Sequence, residues 1–171
     1  MQNEVNLKGS KEQVLQSVEQ YLGAQGFTVA AKDWSRPWGG FFVLDESQAS
    51  AFAKKYFPDI ELDTLRISGK LSPKILMVDS QKRLSWQYHF RRAEIWKLVA
   101  GTAGVATSET DTQGDVHQLA IGEVIRLKQG QRHRLVGLDG WGMVAEIWQH
   151  TDASSPSDED DIVRLQDDFG R

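Results

Sequence analysis

The 171-residue chain contains no cysteine. That excludes a disulfide framework and thiolate metal sites, and it fits a reducing cytosol. Long apolar runs are also missing, and none approaches the length of a membrane span. The opening MQNEVNLKGSKEQ is polar and lacks the hydrophobic stretch of a secretion signal, so a cytoplasmic location is expected. Basic charge is not in excess either. The net charge is −4, with much of the surplus acid between Ser157 and Arg171, which argues against a nucleic-acid-binding surface. A small anionic ligand stays compatible, because charge within a cleft need not follow net charge.

What is present reads as one soluble structural domain in two stretches. Residues 1–70 form an N-terminal helical extension that carries an RPWGG segment, Arg36 to Gly40. Ser10 and Gln13 have capping-box spacing, and Val14, Leu15, Val18, Tyr21 and Leu22 share one face, which predicts a helix over 10–23. A second helix is expected from Ser47 to Phe57, stopped by Pro58, with a short strand-like piece from Phe27 to Ala30 between the two. Residues 71–171 change character. KILMV, LSWQYHF, EIWKLVAG, GVAT, VHQLA, EVIRL, HRLVG and GMVAEIW follow one another as short β-prone runs. Turn-forming residues separate them, with hairpins expected at Asp111 to Gly114 and at Asp139-Gly140. The fold class is therefore all-β, and a final segment, DIVRLQDDFGR, reads as a docked strand because apolar residues interrupt its charges.

Gln87 and His89 are two apart, so on a strand their side chains point the same way. Glu94 follows after four intervening residues and Gly101 after six more. His133 begins a strand after a turn at Gly130. Two neutral donors from one strand, a nearby carboxylate and an imidazole from a distant strand form a workable site for one divalent ion. The mixed nitrogen and oxygen donors suit Zn, Fe(II), Mn(II) or Ni. His117 and His150 lack such a pattern and read as surface or turn residues.

These spacings resemble the two motifs of the cupins, with Gln87 in the place of a first histidine. A jelly-roll β-barrel is the fold this implies. LSWQYHFRRAEIW (Leu84 to Trp96), His133-Arg134-Leu135, the RPWG at Arg36 to Gly39, Lys74 and the ending from Glu159 to Arg171 resemble one branch more closely. That branch is the type II mannose-6-phosphate isomerases, including the isomerase domain of bifunctional mannose-1-phosphate guanylyltransferases. The resemblance implies a metal-dependent aldose–ketose isomerase of a phosphorylated sugar, with Gln87, His89, Glu94 and His133 as metal ligands, zinc foremost. Glu146, with Lys74 behind it, is the implied base. Arg134, Arg164, Arg36 and Arg91 are the implied substrate contacts, with Arg92 also a candidate. A homodimer is the implied assembly. Arg91 and Ile95 replace two histidines of the family pattern. They favour, as the alternative, a non-catalytic metal-containing cupin that binds a sugar or sugar phosphate. A metal-dependent oxygenase is a third reading.

Overall fold

The computed structural model describes residues 5–67 and 69–170. Met1 to Glu4 and Ser68 of the N-terminal extension, and Arg171 at the end of the C-terminal motif, lie outside the described residues. Helix α1 spans Lys11–Ala24, capped by Ser10 with the reciprocal Ser10–Gln13 bonds of a capping box. It buries Val14, Leu15, Val18 and Leu22, the face its spacing predicts. Gly23 sits inside the last turn, and Gly26 takes a positive φ of 88° just past the end. The second predicted helix divides into a 3-10 turn, Glu46–Gln48, and α2, Ala49–Tyr56. Asp45 accepts a bond from the Ser47 N–H and starts the pair. A single helical turn, α3, follows at Leu62–Leu65.

Among the described residues there are nine strands: β1 Val29–Asp33, β2 Gly39–Leu44, β3 Lys74–Val78, β4 Trp86–Tyr88, β5 Arg92–Ser108, β6 Val116–Gln118, β7 Val124–Leu127, β8 Arg132–His150 and β9 Val163–Gln166. Every pairing among them is antiparallel. Strands β5 and β8 pair along almost their whole length and carry two walls of one sheet. The first wall runs β1-β2-β3, the second half of β8, the first half of β5, and β7. The second runs β9-β4, the first half of β8, the second half of β5, and β6.

The runs EIWKLVAG and GVAT are thus one strand, as are HRLVG and GMVAEIW. Asp139-Gly140 is a bulge inside β8, not a hairpin: one residue of β5, Thr102, faces the four from Leu138 to Trp141. Gly101 (φ 76°) and Gly140 (φ 106°) supply the backbone shape that lets the strands turn there without ending. Residues 109–115, by contrast, do connect β5 to its antiparallel partner β6, around the expected turn at Asp111 to Gly114.

Alternation along the first wall separates two cores. Ile75, Met77, Met143, Ala145, Ile147, Phe42 and Leu44 point outward and pack with α1 and α2. Leu76, Val78, Val144, Trp96, Leu98 and Phe41 point inward and meet Leu84, Val105 and Leu135 of the second wall. The first wall is therefore covered on both faces, which is why KILMV shows no polar alternation. The same period of two points Lys74, Glu94, Glu146 and Trp148 inward, toward one end of the inner core. The site sits at that end.

Candidate metal and ligand site

Gln87 of β4 pairs in register with His133 of β8. Glu94 of β5 lies opposite Trp148, and Trp96 opposite Glu146, which is in turn opposite Lys74 of β3. Three adjacent strands thus present Glu94, Trp96, Glu146, Trp148 and Lys74 to one space. His89, Glu94 and His133 are each buried, and their ligand atoms lie within 4.8 Å of one another.

The donor atoms face inward for a definable reason. His89 Nδ1 is 2.7 Å from the Asp161 carbonyl, and His133 Nδ1 is 3.1 Å from the Gln131 carbonyl. A carbonyl only accepts, so each Nδ1 carries a hydrogen, and the neutral tautomer with that hydrogen turns its Nε2 lone pair to the site. Both Nε2 atoms meet the same oxygen, Glu94 Oε1, at 2.8 Å for His89 and 3.1 Å for His133. Burial, the largest influence, lowers the His89 pKa and so favours its neutral ring. Glu94 Oε1 and His133 Nε2 lie close but out of hydrogen-bond alignment, and each is buried without a hydrogen bond among the described residues, while Arg92 Nε lies 3.7 Å from the same oxygen. Three electron-rich atoms therefore converge in a dry place, which fits a divalent cation. Gln87 lines the same space, its Oε1 held by the Ser85 hydroxyl at 2.6 Å. Arg92 Nη2 donates to His89 Nε2 at 3.2 Å, and its guanidinium stacks on Trp148, 3.7 Å from the ring centre.

Glu146 and Glu94 divide one proton between them. Burial pushes the Glu146 carboxyl well above the ordinary range, and the Glu94 charge and a hydrogen bond between the two add to this. Burial pushes Glu94 the same way, but the Arg92 charge, foremost, and the hydrogen bond from Glu146 help to outweigh it and hold Glu94 well below that range. Glu146 thus keeps the proton while its oxygens accept from the Trp96 and Trp148 indoles at 2.6 and 2.8 Å.

Beyond these groups a narrow cavity of about 70 Å³ opens to solvent, small beside an ordinary small-molecule site. Arg36 and Trp38 of the RPWGG turn line it, as do Lys74, Arg92, Glu159 and Arg164. Two of the expected substrate contacts are not brought there. Arg134 follows the inward-facing His133 and so turns to the other side of β8. It is buried, donating to the Leu84 carbonyl at 2.7 Å, Gln113 Oε1 at 2.9 Å and the Gln166 carbonyl at 3.1 Å. Arg91 reaches the C-terminal segment, donating to the Ser155 carbonyl and lying near Asp158 and Asp161. His150 is buried rather than at the surface, bridging the Ser72 hydroxyl and the Ser157 N–H. His117 is exposed and pairs with Glu123.

Glu159 and Asp161 had only a motif to mark them. Asp161 holds His89 through its carbonyl, while its carboxylate accepts the N–H groups of Phe90 and Arg91, both at 2.9 Å. Glu159 pairs with Lys74. The segment that carries both ends in β9, which docks on β4 with Arg164 opposite Gln87.

The model of the family described as mannose-6-phosphate isomerase C-terminal matches residues 45–167. The chain belongs to that family. Members of this family are similar to the chain among characterised proteins. Mannose-1-phosphate guanylyltransferase of Escherichia coli (strain K12) is 32% identical over 116 residues, covering 68% of this chain and 23% of the relative. The alginate biosynthesis protein AlgA of Pseudomonas aeruginosa is 30% identical over 128 residues, covering 73% of this chain and 24% of the relative. The chain thus spans about a quarter of the length of these relatives. Among solved structures, tomato vicilin superposes with a TM-score of 0.51 at 18% identity, covering 82% of this chain and 34% of that one. CapF gives 0.50 at 13% identity with the same coverages. The fold is cupin-like. Among the described residues no helix is long and apolar enough to cross a membrane.

Proposed function

We propose that the chain is a metal-dependent aldose–ketose isomerase acting on a phosphorylated sugar, with mannose 6-phosphate and fructose 6-phosphate as the leading pair. The observation that carries this reading is the convergence of His89 Nε2, His133 Nε2 and Glu94 Oε1 beside a pocket lined by Arg36, Lys74, Arg92 and Arg164. Those three residues, with the Gln87 amide oxygen, would hold one divalent ion, zinc first and Mn, Fe(II) or Ni next. Such an ion supplies polarisation of a substrate carbonyl and its neighbouring hydroxyl. The chain's own groups do the rest. Arginines suit a phosphate because the planar fork gives paired hydrogen bonds. The indoles of Trp96 and Trp148 fix the Glu146 carboxyl. Once its resting proton has left to solvent, the carboxylate would take a proton from one sugar carbon and return it to the next, a transfer its raised proton affinity favours. Lys74, already paired with Glu159, is the weaker choice of base.

The alternative of a binding-only protein also has an observation behind it. In its protonated form Glu146 is satisfied on every side, by two indoles and Glu94, so nothing urges it to exchange a proton. Metal content and turnover separate the readings. Near one equivalent of metal in the purified protein, lost in the His89→Ala/His133→Ala double variant, with interconversion of the two hexose phosphates by the metal-loaded form, is expected for the isomerase. Metal and sugar-phosphate binding without interconversion would leave the binding protein. No metal uptake from any of the four ions would sink both.

A further inference from the structure

Lys74 is a buried cation with an unusual set of neighbours. Its ammonium lies 4.6 Å from the centre of the Phe41 ring and 4.3 Å from that of Trp148. The faces of these rings attract a cation but do not neutralise it. The ion-pair partner of Lys74 is Glu159, a side chain that remains 55% exposed, whereas Lys74 itself is 6% exposed. The two partners are thus unequal: one is locked in the wall of the first sheet, the other stands at the solvent edge.

The backbone around Glu159 does not depend on that pair. On one side the Ser157 N–H donates to His150 Nδ1 at 3.0 Å, and the Ser157 hydroxyl donates to Asp161 at 2.6 Å. On the other side the Asp161 carboxylate is fixed by the Phe90 and Arg91 N–H groups. The Glu159 side chain can therefore swing into water while its segment stays in place. Lys74 would then face the pocket with no counter-charge. Arg36 lies near, its guanidinium 5.4 Å from the same Phe41 ring.

We propose that the space at Lys74 is an anion subsite for the tetrahedral oxyanion of the ligand, and that Glu159 fills it in the ligand-free protein as a displaceable internal carboxylate. The proposal deepens the sugar-phosphate reading of this pocket and rests on it. A buried ammonium left without an anion is costly, so a resident carboxylate stabilises the empty protein. An arriving phosphate must displace that carboxylate, and the solvent exposure of Glu159 keeps the exchange inexpensive. Removing the competitor should therefore tighten anion binding. A Glu159 that helped to hold the ligand would give the opposite result, weaker binding on its removal.

Titration calorimetry with inorganic phosphate on the full chain tests this, with chelator present so that phosphate on a metal does not contribute. Glu159→Gln should bind phosphate about tenfold more tightly than the wild type, the scale of one charge-assisted hydrogen bond removed from competition. Lys74→Met should lose the binding. Neutral mannose should bind wild type and Glu159→Gln alike in the metal-loaded protein. Phosphate affinity in Glu159→Gln equal to or weaker than wild type would overturn the proposal, as would phosphate that binds no variant. Glu159 is half exposed, so its variant folds and stands as the deciding arm even if Lys74→Met does not. Because this assay needs neither metal nor turnover, a failed isomerase assay beside Lys74-dependent phosphate binding would count against the isomerase alone.

Discussion

His89 is oriented by a carbonyl that belongs to Asp161, and the same residue's carboxylate pins the two N–H groups that come after His89. Asp161→Asn keeps the carbonyl but weakens its anchor, since an amide cannot accept all three of the bonds now made to the carboxylate. Metal affinity measured by competition with a chromophoric chelator should fall about 10–100-fold, the usual cost of losing such support. Arg134 makes the opposite case. Its guanidinium satisfies two carbonyls and the side-chain amides of Gln113 and Gln166 in the protein interior and does not line the ligand pocket. Arg134→Met should cost about 3 kcal/mol in urea unfolding, because buried acceptors lose their donors. Metal and phosphate affinity of the folded fraction should not change. Weakened phosphate binding at unchanged stability would restore Arg134 as a ligand contact. The metal cluster was legible at this scale because period-two spacing is a local property of a strand, and Gln87, His89 and Glu94 lie within eight positions. Asp161 and Glu159 were not, because nothing local says where a charged segment folds back.

Strand β9 and the residues after it are held by ion pairing as well as by the ladder to β4. Arg83 donates to both oxygens of Asp168, at 2.7 and 2.9 Å. That hydrogen bonding, first among the causes, holds the Asp168 carboxyl well below its ordinary range. A depressed carboxyl pKa stabilises the fold above the unfolded value of about 4, and the contribution disappears as pH falls toward the folded value. Wild type should therefore exceed Asp168→Asn in urea midpoint at pH 6, with the gap closing below about pH 4. A gap that does not narrow at all between pH 4 and pH 2 would assign the effect to packing. The pair is solvent-exposed, so the gap should be small and should shrink with salt. The sequence marked α1, β3 and β9 well, since capping, an unbroken apolar run and apolar residues among charges are each local signals. It broke β5 and β8 in two, because glycine with turn-forming neighbours at 101 and 139–140 reads as an end when the partner strand is unknown.

Across the whole molecule, the cation site joins four pieces of chain: β4, β5, β8 and the segment before β9. An ion that binds only when these are together must stabilise all of them. Metal at about a hundredfold over its dissociation constant should add about 2.7 kcal/mol to unfolding. Chelator should lower the wild-type melting temperature accordingly and leave His89→Ala/His133→Ala unmoved; equal melting with and without chelator would mean no linked site. The all-β class and the shared face of Gln87 and His89 were legible from strand spacing. The cover given to the first wall by α1 and α2 was not, because only Phe27 to Ala30 was marked as strand-like and β2 begins within the RPWGG segment, so no pairing with β3 was visible. The brace on His89 also sets a timetable. Asp161 lies 72 positions after the histidine it holds, and Glu159 lies 85 after its lysine. A ribosome delivers them late, so a nascent chain that has made β1 to β8 still carries an unfastened imidazole and a bare ammonium. A cation held by this cluster would meet a braced His89 only once residue 161 has been made and docked.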